Sequence, residues 1–308
     1  MTPVIEVTGL TKRYENHAVV DGISFHVDRG EIFGILGRNG AGKTTAVECM
    51  EGLRRRDEGE VRILGLDPRT DGNRLHQRIG VQLQDTQLQE KLKVREALEL
   101  YASFYPHPAD WRELLERWGL AAKAGARFGN LSGGQKQRLF IALALVGNPE
   151  VVFLDELTAG LDPGARHATW DLIAQVRNSG VTVVLVSHFM DEVEALCDRV
   201  AILDRGRIAA LDTPAGLVDS AGAEYRVRFR PLALPDTPGL DEQSLGALPG
   251  VTAVSSRGAQ VTVTGTGDFA SAVTAELARR QIIAADLRIE GRSLDSAYIA
   301  LTGRTMDT

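Results

Sequence analysis

The chain has 308 residues, of which 44% are hydrophobic and 25% charged, and its formal net charge is −6. That composition is typical of a globular protein with one large domain and a smaller one, and the acidic balance disfavours a nucleic-acid partner. The two cysteines provide no disulfide framework, and no apolar run approaches the roughly 20 residues that span a bilayer. We therefore expect a protein of a reducing compartment that is not a permease by itself.

The first part of the chain predicts an edge sheet and then a strand, a loop and a helix. Residues 4–9 and 17–28 show strand patterns, residues 31–36 read as a buried strand, and residues 44–53 read as a helix. The segment between that strand and helix matches the pattern G-x-x-x-x-G-K-[ST]. Its sequence is Gly37-Arg38-Asn39-Gly40-Ala41-Gly42-Lys43-Thr44.

This glycine-rich segment is predicted to bind phosphate. Glycines let successive backbone N–H groups turn towards an anion, since no Cβ blocks the approach, and the positive end of the following helix faces the same point. Lys43 can reach the β- and γ-phosphates, and the Thr44 hydroxyl can ligate Mg²⁺. The adjacent Thr45 is included in the predicted nucleotide site. A structural glycine turn is the alternative, which the order of strand, loop and helix disfavours.

Beyond the phosphate loop, strands and helices alternate, which predicts a largely parallel sheet covered on both faces. The predicted strands are residues 61–64, 79–84, 151–155, 181–187 and 199–204, and the predicted helices are residues 94–104, 110–119, 164–178 and 190–197. The helix over residues 110–119 carries a stripe of Trp and Leu, which we expect in the core.

A second motif lies in the middle of the chain, where Leu131-Ser132-Gly133-Gly134-Gln135 precedes a helical run. In isolation, Ser132 could cap an ordinary helix. Downstream, the apolar strand 151–154 is followed by the two carboxylates Asp155 and Glu156. With a phosphate loop upstream, this order closely resembles the ATP-binding-cassette (ABC) family over about residues 4–220.

The resemblance implies roles for four further residues. Tyr14 lies where the family has an aromatic ring under adenine, Gln84 fits its glutamine loop, and Asp162 fits its aspartate loop. His188 follows a predicted strand, as the switch histidine of the family does. In isolation, Tyr14 reads equally as a loop aromatic and His188 as a surface or capping residue, and Gln84 has other glutamines nearby.

The chemistry implied by the resemblance is hydrolysis of ATP with Mg²⁺, which needs charge neutralisation, an oriented water and in-line geometry. Glu156, at the end of a buried strand, is predicted to polarise the attacking water, and His188 is implied to contact the γ-phosphate. A strand-end turn is the alternative for the two carboxylates. The predicted catalytic residues are Lys43, Gln84, Glu156 and His188, and the predicted Mg²⁺ ligands are Thr44, Gln84 and Asp155.

By the same resemblance, two chains complete one ATP site. Residues 132–135 of one chain are implied to reach the γ-phosphate held by the other, where backbone amides, a hydroxyl and a helix start face the anion. Asp162 is expected at this interface. ATP would thereby hold a closed homodimer that hydrolysis releases. Leu157 stands where the family commonly has proline, so we expect looser coupling rather than lost activity.

Beyond residue 220, short strands with a helix packed on them predict a separate α+β domain. The predicted strands are residues 225–230, 251–254, 261–264 and 287–290, the predicted helices are residues 268–280 and 294–301, and residues 231–250 read as loop with at most a short helix. The predicted fold is therefore an α/β P-loop NTPase of the ABC-cassette type over residues 1–220, followed by the small α+β domain over residues 221–308. The cassette would have a mostly parallel core sheet, an antiparallel β edge and a helical signature subdomain.

Two further segments are similar to daunorubicin-type drug-exporter ATP-binding subunits: residues 293–304 and residues 84–105. The resemblance implies export of a drug, antibiotic or lipid-like compound through a separate membrane permease, contacted by residues 85–93 and 94–104. The chain would then lie peripherally on the cytoplasmic side of the membrane. The final domain is expected to stabilise the dimer without touching the substrate.

Three other classes of protein compete with a transport ATPase. DNA-handling ABC-type ATPases carry long coiled coils between the phosphate loop and the signature, but no sustained heptads separate Lys43 from Ser132. Translation-associated members normally join two cassettes, and one set of motifs occurs here. A binding module without chemistry is disfavoured by the intact Lys43, Asp155, Glu156 and His188.

Overall fold

The computed structural model describes residues 3–15, 17–82, 87–158, 160–221, 225–233, 241–291 and 293–305. The chain forms two compact units: the first comprises the residues up to Leu217 together with Thr305, and the second comprises Val218–Arg304. Gln84, a predicted site residue, lies outside the described residues, as do Asp85 and Ala159. In the described part of the chain, no helix is both long and apolar enough to cross a membrane.

The first unit begins with two long strands and then alternates strands with helices. In chain order its elements are β1 (Pro3–Tyr14), β2 (His17–Asp28), β3 (Ile32–Leu36), α1 (Lys43–Glu51), β4 (Glu58–Ile63), α2 (Gly72–Leu75), β5 (Ile79–Gln82), α3 (Val94–Ala102), α4 (Trp111–Arg117), α5 (Gly133–Leu145), β6 (Val151–Asp155), α6 (Pro163–Asn178), β7 (Thr182–Ser187), α7 (Met190–Leu196), β8 (Arg199–Asp204) and β9 (Arg207–Asp212). Helix α8 (Pro214–Ser220) follows, across the division between the units.

The core sheet of the first unit has the strand order β5-β6-β7-β3-β8-β9. Strands β5, β6, β7, β3 and β8 are parallel, and β9, which the sequence patterns missed, pairs antiparallel with β8. β3, β6 and β7 are buried along their whole length, as expected of apolar strands covered on both faces. Because parallel strands end at one edge of a sheet, the segments that follow β3, β6 and β7 meet there.

Helix α1 packs between the core sheet and a second, antiparallel sheet of order β2-β1-β4. Ala46, Val47 and Met50 of this helix share one buried cluster with Ile5 of the antiparallel sheet and Phe33 of the core sheet. The helix is therefore anchored on two sides, which fixes the position of its first residue beside the phosphate loop.

Helices α3, α4 and α5 form a group that includes the signature segment. Helix α5 packs against β5, β6 and α3, and α3 also contacts α4. Leu114, Leu115 and Trp118 are buried, so the prediction that the Trp–Leu stripe lies in the core is confirmed.

The second unit is an antiparallel sheet on which the helices Glu242–Gly246 and Phe269–Arg279 pack. Its elements are β10 (Tyr225–Ala233), α9 (Glu242–Gly246), β11 (Val251–Arg257), β12 (Gln260–Gly265), α10 (Phe269–Arg279), β13 (Ile282–Glu290) and α11 (Leu294–Thr302), with the strand order β11-β12-β10-β13. β10 and β13 are longer than predicted because they pair with each other across Pro231 and Ala284, two residue types that are poor strand formers on their own.

Gly80 provides a test of the packing between β5 and α5. A Cβ added to Gly80 would lie 2.0 Å from the backbone oxygen of Ala144, so Gly80→Ala must displace the helix. We expect it to lower the free energy of unfolding by at least about 2 kcal/mol, the cost of overpacking a rigid contact. Urea denaturation followed by circular dichroism measures this change.

Gly72→Ala is the matched control, because Gly72 lies in α2 with no atom within 4 Å of the added Cβ. It should change stability by less than about 0.5 kcal/mol. Equal unfolding midpoints for the two variants would show that β5 and α5 are not packed as described.

Candidate functional site

The phosphate loop joins the end of β3 to the start of α1 and packs tightly against neighbouring backbone. Gly42 has φ 100°, a backbone conformation that residues with a Cβ rarely adopt. A Cβ there would lie 2.4 Å from the backbone oxygen of Val19, and a Cβ on Gly37 would lie 2.5 Å from that of Leu203. Close contacts with backbone therefore require glycine at both positions, and at Gly42 the backbone conformation requires it as well.

Lys43 is buried at the base of this loop. Its Nζ donates hydrogen bonds to the backbone oxygens of Gly37 at 2.7 Å and Arg38 at 3.2 Å, and lies 3.9 Å from Oε1 of Glu156. Burial lowers the pKa of Lys43, while the carboxylates of Glu156 and Asp155 oppose that shift. The ammonium group thus ties the loop to the end of β6.

A cavity of about 330 Å³ opens over the loop. It is lined by Val19, Asn39, Gly40, Gly42, Lys43, Thr44, Thr45 and Glu156. Most of the predicted phosphate-loop residues therefore face one cavity, and the structure adds Val19. Gly37, Arg38 and Ala41 do not line it, and they shape the loop from behind through their backbone.

Asp155 ends β6 and is almost fully buried. Burial and the neighbouring Glu156 raise the pKa of Asp155 to about 6, whereas Lys43 and a hydrogen bond from Thr44 oppose the rise. Its Oδ1 has no hydrogen-bond partner among the described residues.

An unpartnered carboxylate oxygen beside a threonine hydroxyl fits Mg²⁺, which prefers hard oxygen ligands and usually completes its shell with water and substrate phosphates. The described residues contain no cluster of three or more His, Cys, Asp or Glu side chains that could hold a metal.

Glu156 lies between the ammonium of Lys43 and the imidazole of His188. Its φ is 48°, unusual for a residue with a side chain, and its N–H donates to the backbone oxygen of Val186 at 2.9 Å. Its Oε1 lies 3.3 Å from Nδ1 of His188 and 3.9 Å from Nζ of Lys43. The turn after β6 therefore aims this carboxylate into the phosphate cavity, next to the residue that follows β7.

A buried carboxyl that sequence reasoning missed supports the segment around His188. Oε2 of Glu192 accepts a hydrogen bond from the Ser187 hydroxyl at 2.5 Å, and the Ser187 oxygen in turn accepts from the N–H of Phe189 at 3.0 Å. Burial raises the pKa of Glu192, and the bond from Ser187 opposes this. The only signal in the sequence is an acidic residue in the first turn of α7, a feature shared with the exposed Asp191.

The signature segment begins helix α5 and lies in a second cavity, of about 390 Å³. Ser132 Oγ accepts from Gln135 N at 3.3 Å while Gln135 Oε1 accepts from Ser132 N at 3.1 Å, which closes a capping box. Asp162 caps α6 by accepting from Ala165 N at 3.0 Å. The cavity is lined by Ser132, Gly133, Gly134, Gln135, Arg138, Gly160, Leu161, Asp162 and Ala165.

The structure brings Asp162 together with the signature segment but does not bring either into the phosphate-loop cavity. Tyr14 also does not line that cavity. The residue is 40% exposed, its hydroxyl accepts a hydrogen bond from Arg54, and the Lys12 ammonium lies 5.4 Å from the centroid of its ring.

Leu157, in the position expected for proline, is fully buried, so packing anchors the turn after Glu156.

A phosphate loop at the start of a helix, a buried strand that ends in two carboxylates and a second glycine-led helix start together define the class of ATP-binding cassettes. Residues 20–159 match the family model described as ABC transporter. The chain is 42% identical over 221 residues to the Nod factor export ATP-binding protein I of Burkholderia thailandensis, covering 70% of this chain and 73% of that relative. The chain belongs to the ABC transporter family, as an ATP-binding subunit that hydrolyses ATP in support of transport.

Other relatives and solved structures agree. The Nod factor export ATP-binding protein I of Rhizobium etli is 39% identical over 220 residues, covering 70% of each chain. A structure described as the ATP-binding subunit of an ABC transporter superposes with a TM-score of 0.65 at 28% identity, covering 71% of this chain and 93% of that one. A dimeric bacterial ABC transporter cassette gives 0.60 at 26% identity, covering 68% and 98%.

Lys43→Met tests the role of the buried ammonium. The substitution keeps the length of the side chain but removes its charge and its two hydrogen bonds to the loop. Removing one partner of a buried charged contact typically weakens binding by about 30-fold or more, so we expect at least that loss in affinity for a fluorescent ATP analogue, measured by titration.

Lys123→Met is the control, since Lys123 is exposed and should leave the affinity within about twofold of the wild type. Wild-type affinity in Lys43→Met would mean that Lys43 does not contact the bound phosphates.

Proposed function

We propose that this chain is the motor subunit of an exporter: as a homodimer it hydrolyses ATP with Mg²⁺ and drives a drug, antibiotic or lipid-like compound through a separate membrane permease. The observation that carries the proposal is the position of Glu156, a carboxylate turned into the phosphate cavity between Lys43 and His188. An acceptor so placed can take a proton from water next to the γ-phosphate.

In the proposed reaction, a water oxygen bonds to the γ-phosphorus as the bond from that phosphorus to the bridging oxygen of ADP breaks. Glu156 accepts the proton of the water and later returns it to solvent. Lys43 and the loop amides stabilise the charge on the phosphate oxygens, and His188 holds the γ-phosphate through the imidazole. Bound Mg²⁺, held through Thr44 and Asp155, supplies further charge neutralisation.

The presence of two separate cavities supports a site shared between two chains. The phosphate-loop cavity contains the loop lysine and the proposed base, whereas the signature cavity presents a capped helix start and a serine hydroxyl. A helix start of this kind suits an anion. If the signature cavity of one chain faces the phosphate loop of another, the two together enclose the γ-phosphate. ATP then favours the closed dimer to the extent that ATP binds the closed dimer more tightly than the separate chains.

Export is supported by the names of the relatives, which are Nod factor export ATP-binding proteins, and by the similarity of residues 293–304 to drug-exporter subunits. Within the second unit, this tail forms the capped helix α11, which buries Leu294 and Tyr298. A packed helix suits a structural role, so we assign the second unit to dimer stability rather than to substrate binding.

The proposed permease contact is the surface around α3. This helix buries Val94, Ala97 and Leu98 but leaves Leu100 48% exposed, and Phe104, just beyond its end, is 61% exposed. Large apolar side chains on a surface mark interaction sites when they cluster. Leu100 and Phe104 are therefore proposed as the apolar anchors of the permease contact.

Glu156→Gln tests the proposed base. The amide keeps the shape of the side chain but cannot accept a proton, so we expect Mg²⁺-dependent hydrolysis to fall by at least about 100-fold. Because ATP still binds, it should now hold a dimer, which light scattering detects. Glu60→Gln, at an exposed position on β4, should behave as the wild type.

Two results would contradict these assignments. Hydrolysis by Glu156→Gln at the wild-type rate would show that Glu156 is not the base. A Glu156→Gln chain that stays monomeric with saturating ATP would show that the signature segment does not complete a site in a second copy by itself.

Replacing both Leu100 and Phe104 by serine tests the permease contact. Loss of two apolar anchors should reduce the amount of permease that co-purifies with the chain by at least about tenfold. Ile289→Ser removes a similarly exposed side chain from the second unit and should leave the yield unchanged. Undiminished co-purification of the double variant would exclude this surface as the docking site.

A further inference from the structure

A third cavity in the first unit, of about 320 Å³, is mainly apolar and shares no residue with the two cavities of the ATP site. It is lined by Glu51, Leu53, His76, Ile79, Val81, Gln82, Tyr101, Tyr105, Phe140, Leu143 and Ala144. Leu53 is 55% exposed, so the cavity opens to the surface. α3, with its exposed apolar residues, contributes one wall.

Glu51 places a carboxyl group in this apolar cavity without a partner. It is the last residue of α1, its exposed fraction is 1%, and neither carboxyl oxygen has a hydrogen-bond partner among the described residues. The ring nitrogen Nε2 of His76 lies 2.8 Å from the backbone oxygen of Glu51 and leaves the carboxyl unpaired. A buried unpaired carboxyl is costly, and such groups normally have a donor or a cation beside them.

The charges around Glu51 increase this cost. Burial, followed by the negative charges of Asp155 and Glu48, raises the pKa of Glu51 to about 8. The nearby Arg54 donates to Glu48 at 2.5 Å and to the hydroxyl of Tyr14. The other titratable side chains that line the cavity are His76, Tyr101 and Tyr105.

We infer that Glu51 receives a lysine or arginine side chain from the permease, inserted into this cavity when the permease docks on the surface around α3. This inference rests on the proposed function, because it names the group by which the proposed partner is recognised. The occupant follows from chemical complementarity: a buried carboxyl with no donor or counter-ion among the described residues, in an apolar opening, matches a long cationic side chain whose methylene stem packs on apolar walls and whose charge favours the ionised carboxylate.

Docking then releases a proton. The free chain holds Glu51 largely protonated at neutral pH, and an incoming cation favours the ionised form. Because the bound state carries one proton fewer, affinity must increase with pH up to the pKa of the free chain and level off above it. Between pH 6 and 8 the association constant should rise about tenfold for each pH unit, and the rise should become smaller as the pH approaches the pKa of Glu51 in the free chain.

The experiment uses the full chain and the permease that co-purifies with it from its native membranes, identified by mass spectrometry as a protein with several membrane spans. The permease is reconstituted in nanodiscs, and biolayer interferometry gives the affinity of each variant at pH 6, 7 and 8. Glu51→Gln should bind about 30-fold or more weakly at pH 8 and lose the pH dependence. Glu60→Gln should have the same affinity as the wild type and the same dependence of affinity on pH.

Glu51→Gln is expected to fold, because the amide has the same shape and no charge to bury. Folding raises the pKa of the Glu51 carboxyl to about 8. The free energy of unfolding of the wild type therefore falls as the pH rises from the pKa of this group in the unfolded chain to its pKa in the folded chain. The variant should therefore melt at a higher temperature than the wild type at pH 8, which separates lost docking from misfolding.

Equal affinities and equal pH slopes for wild type and Glu51→Gln would overturn the inference and leave the permease contact intact. If Glu51→Gln binds the permease more weakly but the affinity of the wild type does not depend on pH, the partner of Glu51 is a neutral hydrogen-bond donor, and the inference of a cationic side chain is overturned. If the wild-type chain retains no membrane-spanning protein, the proposed function itself fails.

Discussion

The buried ammonium of Lys43 is the contact on which the rest of the site depends. It is held by two backbone oxygens of the phosphate loop and lies within reach of Glu156, so one side chain joins the segment after β3 to the segment after β6. A cation at this depth is tolerated because it is surrounded by oxygen atoms. Its burial lowers its pKa, and the carboxylates beside it counteract this. The same group that bonds to the backbone of the loop is the one that would contact a phosphate.

Around this contact, the order of the strands in the core sheet brings the side chains of the site together. Parallel strands β6, β7 and β3 are neighbours in the sheet, so the residues that follow them converge although they are distant in sequence. The turn after β6 carries Glu156, and the segment after β7 carries His188, supported by the bond between Ser187 and Glu192. Helix α1, anchored by both sheets, links the phosphate loop at one end to Glu51 at the other. A single helix therefore touches both the nucleotide cavity and the proposed permease cavity.

The parts that could be predicted from sequence are those with local causes. The phosphate loop, the buried strands and the capped start of α5 follow from glycine geometry, apolar runs and side-chain capping. β9 could not be predicted in this way, because its half-exposed residues carry no strong pattern and it forms by pairing with β8. The full lengths of β10 and β13 likewise depend on their pairing with each other. Tyr14 was assigned to adenine by resemblance, and in the structure its ring and hydroxyl contact the cations of Lys12 and Arg54.

The motifs along the chain were sufficient to identify an ATP-binding cassette, because the groups predicted to bind phosphate lie in short segments with a recognisable spacing. Which carboxyls are buried without a partner, and which are supported by a hydrogen bond, became visible only in the folded chain. Asp155, Glu192 and Glu51 look alike in the sequence, yet one has a free oxygen beside Thr44, one accepts from Ser187, and one faces an apolar cavity. Burial and the pairing of charges are properties of residues brought together from distant parts of the chain, and no local pattern records them.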